Sequence, residues 1–249
     1  MSERPMHSVP GLFDKLVALY AEGEALLGRG DLQAAVDRFS EVISLDDHFR
    51  QRYVTAYAQR AFAYHRMNCL AEAIADYGKA IELEPPINQA QYHFQRGMAE
   101  AALGQSEAAL RDYDRAIELH QGQPGPYHLR GKLLADQFGR FADALPDFDR
   151  LLELSPNADG YQYRGLCKVQ VGRHAEAIQD LEQSLAMHPG NHYVEYLLAC
   201  CAAVVGNPDE MYRRMSNALE GDDCYRQYFR EDEEFVAYRG EARFQRLVG

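Results

Sequence analysis

Long apolar runs are absent from this sequence of 249 residues. The longest is the nine-residue stretch from Leu197 to Val205, whereas an α-helix needs about 20 apolar residues to cross a bilayer. The first ten residues also lack the apolar stretch of a secretory signal peptide. The sequence therefore predicts no membrane insertion and a cytoplasmic location.

Positive charge is also scarce. The chain has 26 Lys and Arg residues against 38 Asp and Glu, which gives a formal net charge of −12 and a pI near 5.2. Binding to phosphates or to anionic lipids depends on a positive surface. Nucleic acid and anionic membranes are therefore disfavoured as partners. A neutral or cationic protein or peptide is favoured instead, because opposite fields speed encounter.

Motifs that carry catalysis or bind metals are missing as well. The five cysteines show no CxxC spacing, the nine histidines show no HExxH spacing, and no serine stands in a GxSxG turn. An odd number of cysteines without motif spacing is typical of free thiols in a reducing compartment. We therefore expect no cofactor, no metal site and no enzymatic activity.

The sequence does contain one segment that recurs every 33 to 38 residues. The residues at its centre are Ala35, Ala73, Ala109, Ala144, Ala177 and Met211. Four positions after each of them stands a large apolar residue: Phe39, Tyr77, Tyr113, Phe148, Leu181 and Met215. Further apolar or small residues follow at offsets of seven and eight, which places all of these side chains on one stripe of a helix.

A second helical stretch precedes each centre and carries a small residue. These small residues are Gly23, Ala61, Gly97, Gly131, Gly165 and Ala199. Small residues let two helix backbones approach closely, and turn-forming residues such as Gly30 and Asn68 separate the two stretches. Each repeat is therefore predicted to be a helix–turn–helix hairpin.

These positions together resemble the tetratricopeptide repeat family. In the second repeat the residues that match the family pattern are Tyr57, Ala61, Ala73, Tyr77, Ala80 and Pro85. The first and sixth repeats depart from it, because Asp47 and Asp223 replace the closing proline and Met211 replaces the alanine. The resemblance implies an all-α fold, a right-handed superhelical solenoid of about six repeats with a C-terminal helical cap.

The resemblance also divides the chain. Residues 1–15 form an N-terminal lead to a repeat array over residues 16–225. The repeats are expected at about 16–49, 54–87, 90–123, 124–157, 158–191 and 192–225. Residues 226–249 are predicted to cap the sixth repeat, whose first helix, beginning at Tyr193, is unusually apolar for the end of a solenoid.

Opposite charges recur at matching places in four repeats. The arginines are Arg60, Arg96, Arg130 and Arg164, and the aspartates are Asp76, Asp112, Asp147 and Asp180. The first repeat has Glu22 at the arginine place and Arg38 at the aspartate place. The joint exchange predicts an ion pair within each hairpin, including a reversed pair between Glu22 and Arg38.

The family resemblance also implies a binding surface. In that family the first helix of each hairpin lines a concave groove that receives peptides or partner helices. The corresponding residues here are Tyr20, Glu24, Thr55, Phe62, His65, Arg66, Gln91, Phe94, Met98, His128, Lys132 and Gln162, followed by Leu166, Tyr196 and Cys200. One subgroup of the family clamps a C-terminal carboxylate with lysine, asparagine and arginine, which the nearest places here lack. We therefore predict no binding of acidic chaperone tails.

Three functions stay open from the sequence. The first is a non-catalytic scaffold or adaptor that binds a peptide or partner helix in the groove. The second is a carrier of a small molecule or lipid in the same aromatic groove. The third is a regulatory subunit that dimerises through the sixth repeat and the tail. The sequence does not determine the oligomeric state or the partner.

Overall fold

The computed structural model describes residues 11–45 and 50–249, so the first ten residues and Asp47 lie outside it. Within these residues the chain is helical and has no strand. Twelve helices form six hairpins: α1 (Leu12–Arg29) with α2 (Leu32–Ser44), α3 (Arg50–Arg66) with α4 (Leu70–Leu83), α5 (Ala90–Ala102) with α6 (Ser106–Leu119), α7 (Pro124–Asp136) with α8 (Phe141–Leu154), α9 (Ala158–Gln170) with α10 (His174–Met187), and α11 (His192–Val204) with α12 (Pro208–Gly221). The predicted all-α fold built of hairpins is confirmed.

The hairpins belong to two compact halves. The N-terminal half ends at Gln121 and contains the first three hairpins. The C-terminal half, Gly122–Gly249, contains the other three hairpins and a tail. The tail consists of α13 (Tyr225–Glu231), a 3-10 helix (Glu233–Tyr238) and α14 (Ala242–Val248).

Small residues let the two helices of a hairpin approach closely. A Cβ atom added at Gly165 would lie 2.7 Å from the side chain of Leu181, and one added at Gly97 would lie 2.8 Å from the ring of Tyr113. Such contacts are too short for real Cβ atoms, so a larger residue at either position would separate the helices. The predicted close approach of the two helices at the small residues is confirmed.

The repeated apolar stripe forms the core. The six central residues, from Ala35 to Met211, are fully buried, and the large residues four positions later are buried as well. The turns between the helices follow the predicted breakers. Gly30 has a φ of 87°, and Asn68, at the same place in the second hairpin, has a φ of 62°. Glycine and asparagine tolerate this left-handed conformation better than other residues.

The predicted Arg–Asp pairs form within their hairpins. Arg60 donates to Asp76 from Nε at 2.7 Å and from Nη2 at 2.8 Å, and Arg96, Arg130 and Arg164 bind their aspartates in the same two-pronged way. Arginine also reaches back to the preceding hairpin, where Arg60 contacts Ser40 and Arg164 contacts Asp149. Because a charged group buried alone is costly, these pairs fix the register of neighbouring helices.

The reversed pair predicted for the first hairpin is wrong. Arg38 instead contacts Glu41, three residues further along the same helix, with 2.9 Å between Nη2 and Oε1. Glu22 is exposed to solvent. An ion pair between exposed groups contributes little, so nothing holds Arg38 against the neighbouring helix when a carboxylate on its own helix is closer.

The tail covers the last hairpin. The rings of Phe229, Phe235 and Phe244 are fully buried and share one core with residues of α11 and α12 such as Cys200 and Met211. Arg226 and Arg230 donate to the backbone carbonyls of Leu247 and Val248 and so tie α13 to α14. The tail therefore covers α11, the apolar first helix of the sixth repeat, as the next hairpin would.

None of the helices in the described part of the chain combines the length and apolar character that a membrane crossing requires. The same residues contain no group of three His, Cys, Asp or Glu side chains placed to hold a metal ion. All five cysteines are free, and Cys167, Cys200 and Cys201 are buried in the C-terminal half.

Candidate binding surface on the first helices

Helices α1, α3 and α5 of the N-terminal half line an open cavity of about 240 Å³. It has aromatic, amide and hydroxyl groups in its wall. The lining residues are Tyr20, Thr55, Ala58, Gln59, Phe62, Tyr77, Gln91, Tyr92 and Gln95. All but Tyr77 belong to first helices of hairpins, because the repeat places one face of each first helix beside the next.

A second cavity of about 320 Å³ lies beside the first and shares Gln59 and Phe62 with it. Its other lining residues are Glu24, Leu27, Gly28 and Arg66. Phe62 has 38% of its surface exposed although its side chain is large and apolar. We call the two spaces the paired cavities, with Phe62 as their common wall.

The paired cavities bring together six of the fifteen residues expected to line a groove. These are Tyr20, Glu24, Thr55, Phe62, Arg66 and Gln91. His65, Phe94 and Met98 are half-buried but are not among the lining residues. The ring of Phe94 packs on Tyr113, with 6.1 Å between the centroids, which gives it a role in the core of the third hairpin.

Few charges face the paired cavities. Among the lining residues the ionised side chains are Glu24 and Arg66. Gln59 donates to Glu24 at 3.5 Å, and Arg66 donates to the backbone carbonyl of Leu27 at 3.1 Å. Both charges are therefore engaged by groups of the protein. The remaining polar atoms in the walls are neutral amides and hydroxyls.

The hydroxyl group of Tyr77 is buried and has no hydrogen-bond partner among the described residues. Burial raises the pKa of Tyr77, so the hydroxyl stays protonated and can donate. Burial also raises the pKa of Tyr92 in the same wall, with Glu84 as the next cause. A buried donor without a partner costs about 1–3 kcal/mol, so a ligand acceptor that reached this hydroxyl would offset that cost.

Ala58, Tyr77 and Tyr92 do not follow from the family positions, whereas Gln59 and Gln95 stand at the places nearest to those of the family's carboxylate clamp. Gln59 and Gln95 both stand two residues before the small residue of their helix, so their recurrence in neighbouring repeats is a signal that the sequence carries. Tyr77 belongs to the core stripe, and it lines the cavity together with the small residue Ala58. The sequence shows the small residue but not the space beside it.

The expected groove residues of the C-terminal half already bind neighbouring side chains. His128 Nε2 lies 2.6 Å from Asp159 Oδ2, and this hydrogen bond is the main cause that lowers the pKa of Asp159. Lys132 lies 3.7 Å from the same carboxylate. Gln162 accepts a hydrogen bond of 2.6 Å from Asn191.

The last residues of the expected surface differ from one another. Leu166 is half-buried in the core of the fifth and sixth hairpins. Tyr196 is half-buried against other aromatic rings. The expectation that Cys200 lines the groove is wrong, because its side chain is 2% exposed and packs in the core with the tail. The tail occupies the space that the surface of that helix would otherwise face.

Comparison with known proteins gives consistent results. Models of the tetratricopeptide repeat match residues 54–87, 94–159 and 129–192, together more than half of the chain. The DnaJ homolog subfamily C member 7 homolog of Dictyostelium discoideum is 31% identical over 39% of this chain and 18% of its own length. Hsc70-interacting protein 1 of Drosophila melanogaster is 36% identical over 37% of this chain and 22% of its own. The chain thus spans about a fifth of the length of these relatives.

Among solved structures, the crystal structure of YrrB, described as a TPR protein with an unusual peptide-binding site, has a TM-score of 0.66. It is 20% identical in sequence, and the match covers 73% of this chain and 91% of that one. At this level of identity the likeness concerns the fold.

Proposed function

The chain belongs to the tetratricopeptide repeat family, and from this premise we propose that it is a non-catalytic scaffold for protein–protein interaction. It binds an extended, uncharged peptide segment of a partner in the paired cavities of the N-terminal half. The observation that carries the proposal is the pair of adjoining cavities lined by amides and aromatic rings.

The chemistry of the walls supports a peptide as ligand. An amide side chain offers one acceptor and two donor hydrogens, so Gln59, Gln91 and Gln95 can each bind a C=O or an N–H of a peptide backbone. Tyr20 and Phe62 supply flat apolar surface for a side chain between two such backbone contacts. The two volumes are in the range that fits one or two side chains each rather than a folded element.

The charge of the walls supports an uncharged segment. Arg66 is the single cation among the lining residues, and its guanidinium already donates to Leu27. The name of the Drosophila relative points to a chaperone-type partner. We place such a partner among the candidates, but through an internal, neutral segment rather than through an acidic carboxyl terminus.

A small uncharged molecule is the second candidate for the same cavities. The buried Tyr77 hydroxyl favours it, because a compact ligand with one acceptor can reach a group that lies deep in the wall. Native mass spectrometry of the protein purified from its own host separates the two candidates. A bound mass of a few hundred daltons would favour the carrier function.

The test of the scaffold begins with selection of peptides from a displayed library on the full chain. Synthetic versions of the enriched peptides are then titrated by fluorescence polarisation. We expect uncharged sequences, and we expect Phe62→Ala to weaken their binding by about 1 kcal/mol or more, as is usual for a central aromatic anchor. Leu103→Ala is the matched control, because Leu103 is also an exposed apolar residue of this half but does not line the cavities.

The substitution Phe94→Ala distinguishes binding in the paired cavities from binding elsewhere in the expected groove. Because Phe94 packs on Tyr113, we expect its loss to lower the melting temperature more than it weakens binding. If Phe94→Ala reduced affinity while Phe62→Ala left it unchanged, the ligand would lie outside the paired cavities and the assignment would be wrong.

A further inference from the structure

Four tyrosines from the sixth hairpin and the tail form one aromatic surface in the C-terminal half. Tyr196 of α11 lies at its centre and contacts Tyr193, Tyr225 and Tyr228, with 6.0, 5.6 and 5.8 Å between the ring centroids. Tyr225 and Tyr228 also contact each other at 6.0 Å. We call these four residues the tyrosine platform.

The platform is partly open to solvent. Tyr228 is 47% exposed and Tyr193 is 36% exposed, although both are large aromatic residues. Phe229, the next residue after Tyr228, is fully buried in the core under the tail. Helix α13 therefore buries Phe229, packs Tyr225 at the edge of the same core and leaves Tyr228 largely exposed.

Acidic groups border the platform. The Tyr196 hydroxyl donates to Asp232, and the pKa of Tyr196 is raised by burial first and then by neighbours that include this carboxylate. Burial raises the pKa of Tyr193 to about 12, and the nearby carboxylate of Asp136 adds to the shift. The two arginines of α13, Arg226 and Arg230, bind the end of α14 instead.

Other tyrosines of the same half already carry a cation over the ring. The pairs are Lys132 over Tyr163 at 4.6 Å, Arg164 over Tyr161 at 5.7 Å and Arg243 over Tyr212 at 4.3 Å. Across Gly122–Gly249, all of which is described, no cation lies over a ring of the platform. The platform thus has two exposed tyrosines and a neighbouring carboxylate, but no cation over its rings.

We propose that the tyrosine platform binds an arginine or lysine side chain of a protein partner. The face of an aromatic ring attracts a guanidinium or an ammonium group, and this attraction is worth about 0.5–1 kcal/mol at exposed sites. Tyr193 and Tyr228 both pack on Tyr196, so one cation at the platform can contact both exposed rings. The net charge of −12 brings a basic segment to this surface. The proposal does not rest on the paired cavities, because it uses other residues in the other half.

The experiment compares two labelled peptides on the full-length chain. One is Gly-Arg-Gly-Arg-Gly, and the other carries citrulline in place of each arginine, which keeps the shape and removes the charge. We expect the arginine peptide to bind at least several-fold more tightly by fluorescence polarisation. This comparison needs no variant protein, so it does not depend on how substitutions affect folding.

Variants then locate the binding. Each ring contributes about a two- to fivefold change in affinity at an exposed site, so the double variant Tyr193→Leu, Tyr228→Leu should lose about tenfold for the arginine peptide. The double variant Tyr193→Phe, Tyr228→Phe keeps both rings and should stay within about twofold of the wild type. Val236→Ala is the control, since Val236 is an exposed residue of the tail that is not part of the platform.

Three results would overturn the proposal. The first is equal binding of the arginine and citrulline peptides. The second is unchanged binding in the leucine double variant, or a loss in the phenylalanine variant as large as in the leucine variant, which would assign the effect to the hydroxyl groups. The third is a concentration-dependent dimer, seen by light scattering, that the leucine variant abolishes, because the platform would then be covered by a second copy.

Discussion

The two halves of the molecule repeat one hairpin but present different surfaces. In the N-terminal half the side chains three residues before the small residue are Tyr20, Ala58 and Phe94, and a cavity forms beside the small Ala58. In the C-terminal half the same places hold His128, Gln162 and Tyr196, which bind Asp159, Asn191 and the tail. The repeat fixes the backbone, and the residues at these places decide whether the surface is open or occupied.

Charge at one further place shows the same contrast. Three residues after the small residue stands Glu100 in the third hairpin and Lys168 in the fifth. Lys168 lies 2.7 Å from Asp180 and adds to the Arg164–Asp180 pair. Glu100 instead lies near Asp112, a like charge, and only 3.9 Å separates its Oε1 atom from Nε of Arg96, but its Oε2 atom is buried without a hydrogen-bond partner among the described residues. The charge at this place therefore stabilises the fifth hairpin, whereas the ionised form of Glu100 destabilises the third.

Removing the tail should have the largest effect on stability and should expose the apolar surface that it covers in the C-terminal half. Deletion of residues 225–249 removes the three fully buried phenylalanines that cover α11 and α12. Burial of each such ring is worth about 1.5–3 kcal/mol, so the loss should be on the order of 5 kcal/mol. We expect aggregation or new dimers in light scattering, and faster hydrogen exchange in α11 and α12 than in α3 and α4. A truncated protein that stays monomeric with unchanged melting would contradict the role of the tail as a cap.

Neutralising Glu100 should have the next largest effect on stability, because it removes the cost of ionising a buried carboxyl group. Burial first, and Asp112 second, raise the pKa of Glu100 to about 7 from the usual 4.5. A carboxyl group with a raised pKa binds its proton more tightly in the folded state, so the free energy of unfolding falls as the pH rises through this range. Glu100→Gln should therefore stabilise the protein by roughly 2 kcal/mol at pH 8 and hardly at all at pH 4.5.

Urea unfolding at the two pH values measures this difference. Lys168→Gln is the matched control, because it removes the charge at the same place of the fifth hairpin and should destabilise the protein at pH 8. A Glu100→Gln variant that is equally stabilised at both pH values, or destabilised at pH 8, would show that ionisation of Glu100 does not destabilise the folded protein.

The periodic features of the structure could be predicted from the sequence. Small residues such as Gly97 against large ones such as Tyr113, and arginines against aspartates, recur at fixed offsets, so one packing rule applies to every copy. The first hairpin does not follow the charge rule, because Glu22 is exposed and Arg38 pairs with Glu41 on its own helix. Periodicity predicts position, but it does not predict which of two exposed partners an arginine takes.

The candidate sites were harder to predict because they depend on contacts outside the repeat. The cavity wall combines a core residue, Tyr77, with the small residue Ala58 and the amides of neighbouring first helices. The tyrosine platform joins Tyr196 of the array to Tyr225 and Tyr228 of the tail, whose sequence does not follow the repeat. An aromatic-rich tail indicates burial, but it does not indicate which rings stay at the surface.

The smallest expected effect concerns the binding of acidic peptide tails to the paired cavities of the N-terminal half. A peptide that ends in several aspartates or glutamates and a free carboxylate needs two or more cations at hydrogen-bond distance. The walls of the paired cavities offer Arg66, already bound to Leu27, next to the anionic Glu24. We therefore expect no measurable binding of such a peptide in a fluorescence-polarisation titration, and no gain from Phe62→Ala. Glu24→Lys should create weak, salt-sensitive binding by adding the missing cation beside Arg66. Micromolar binding to the wild type would mean that the half selects carboxylates with groups other than those in the cavity walls, and the neutral-segment proposal would then be wrong.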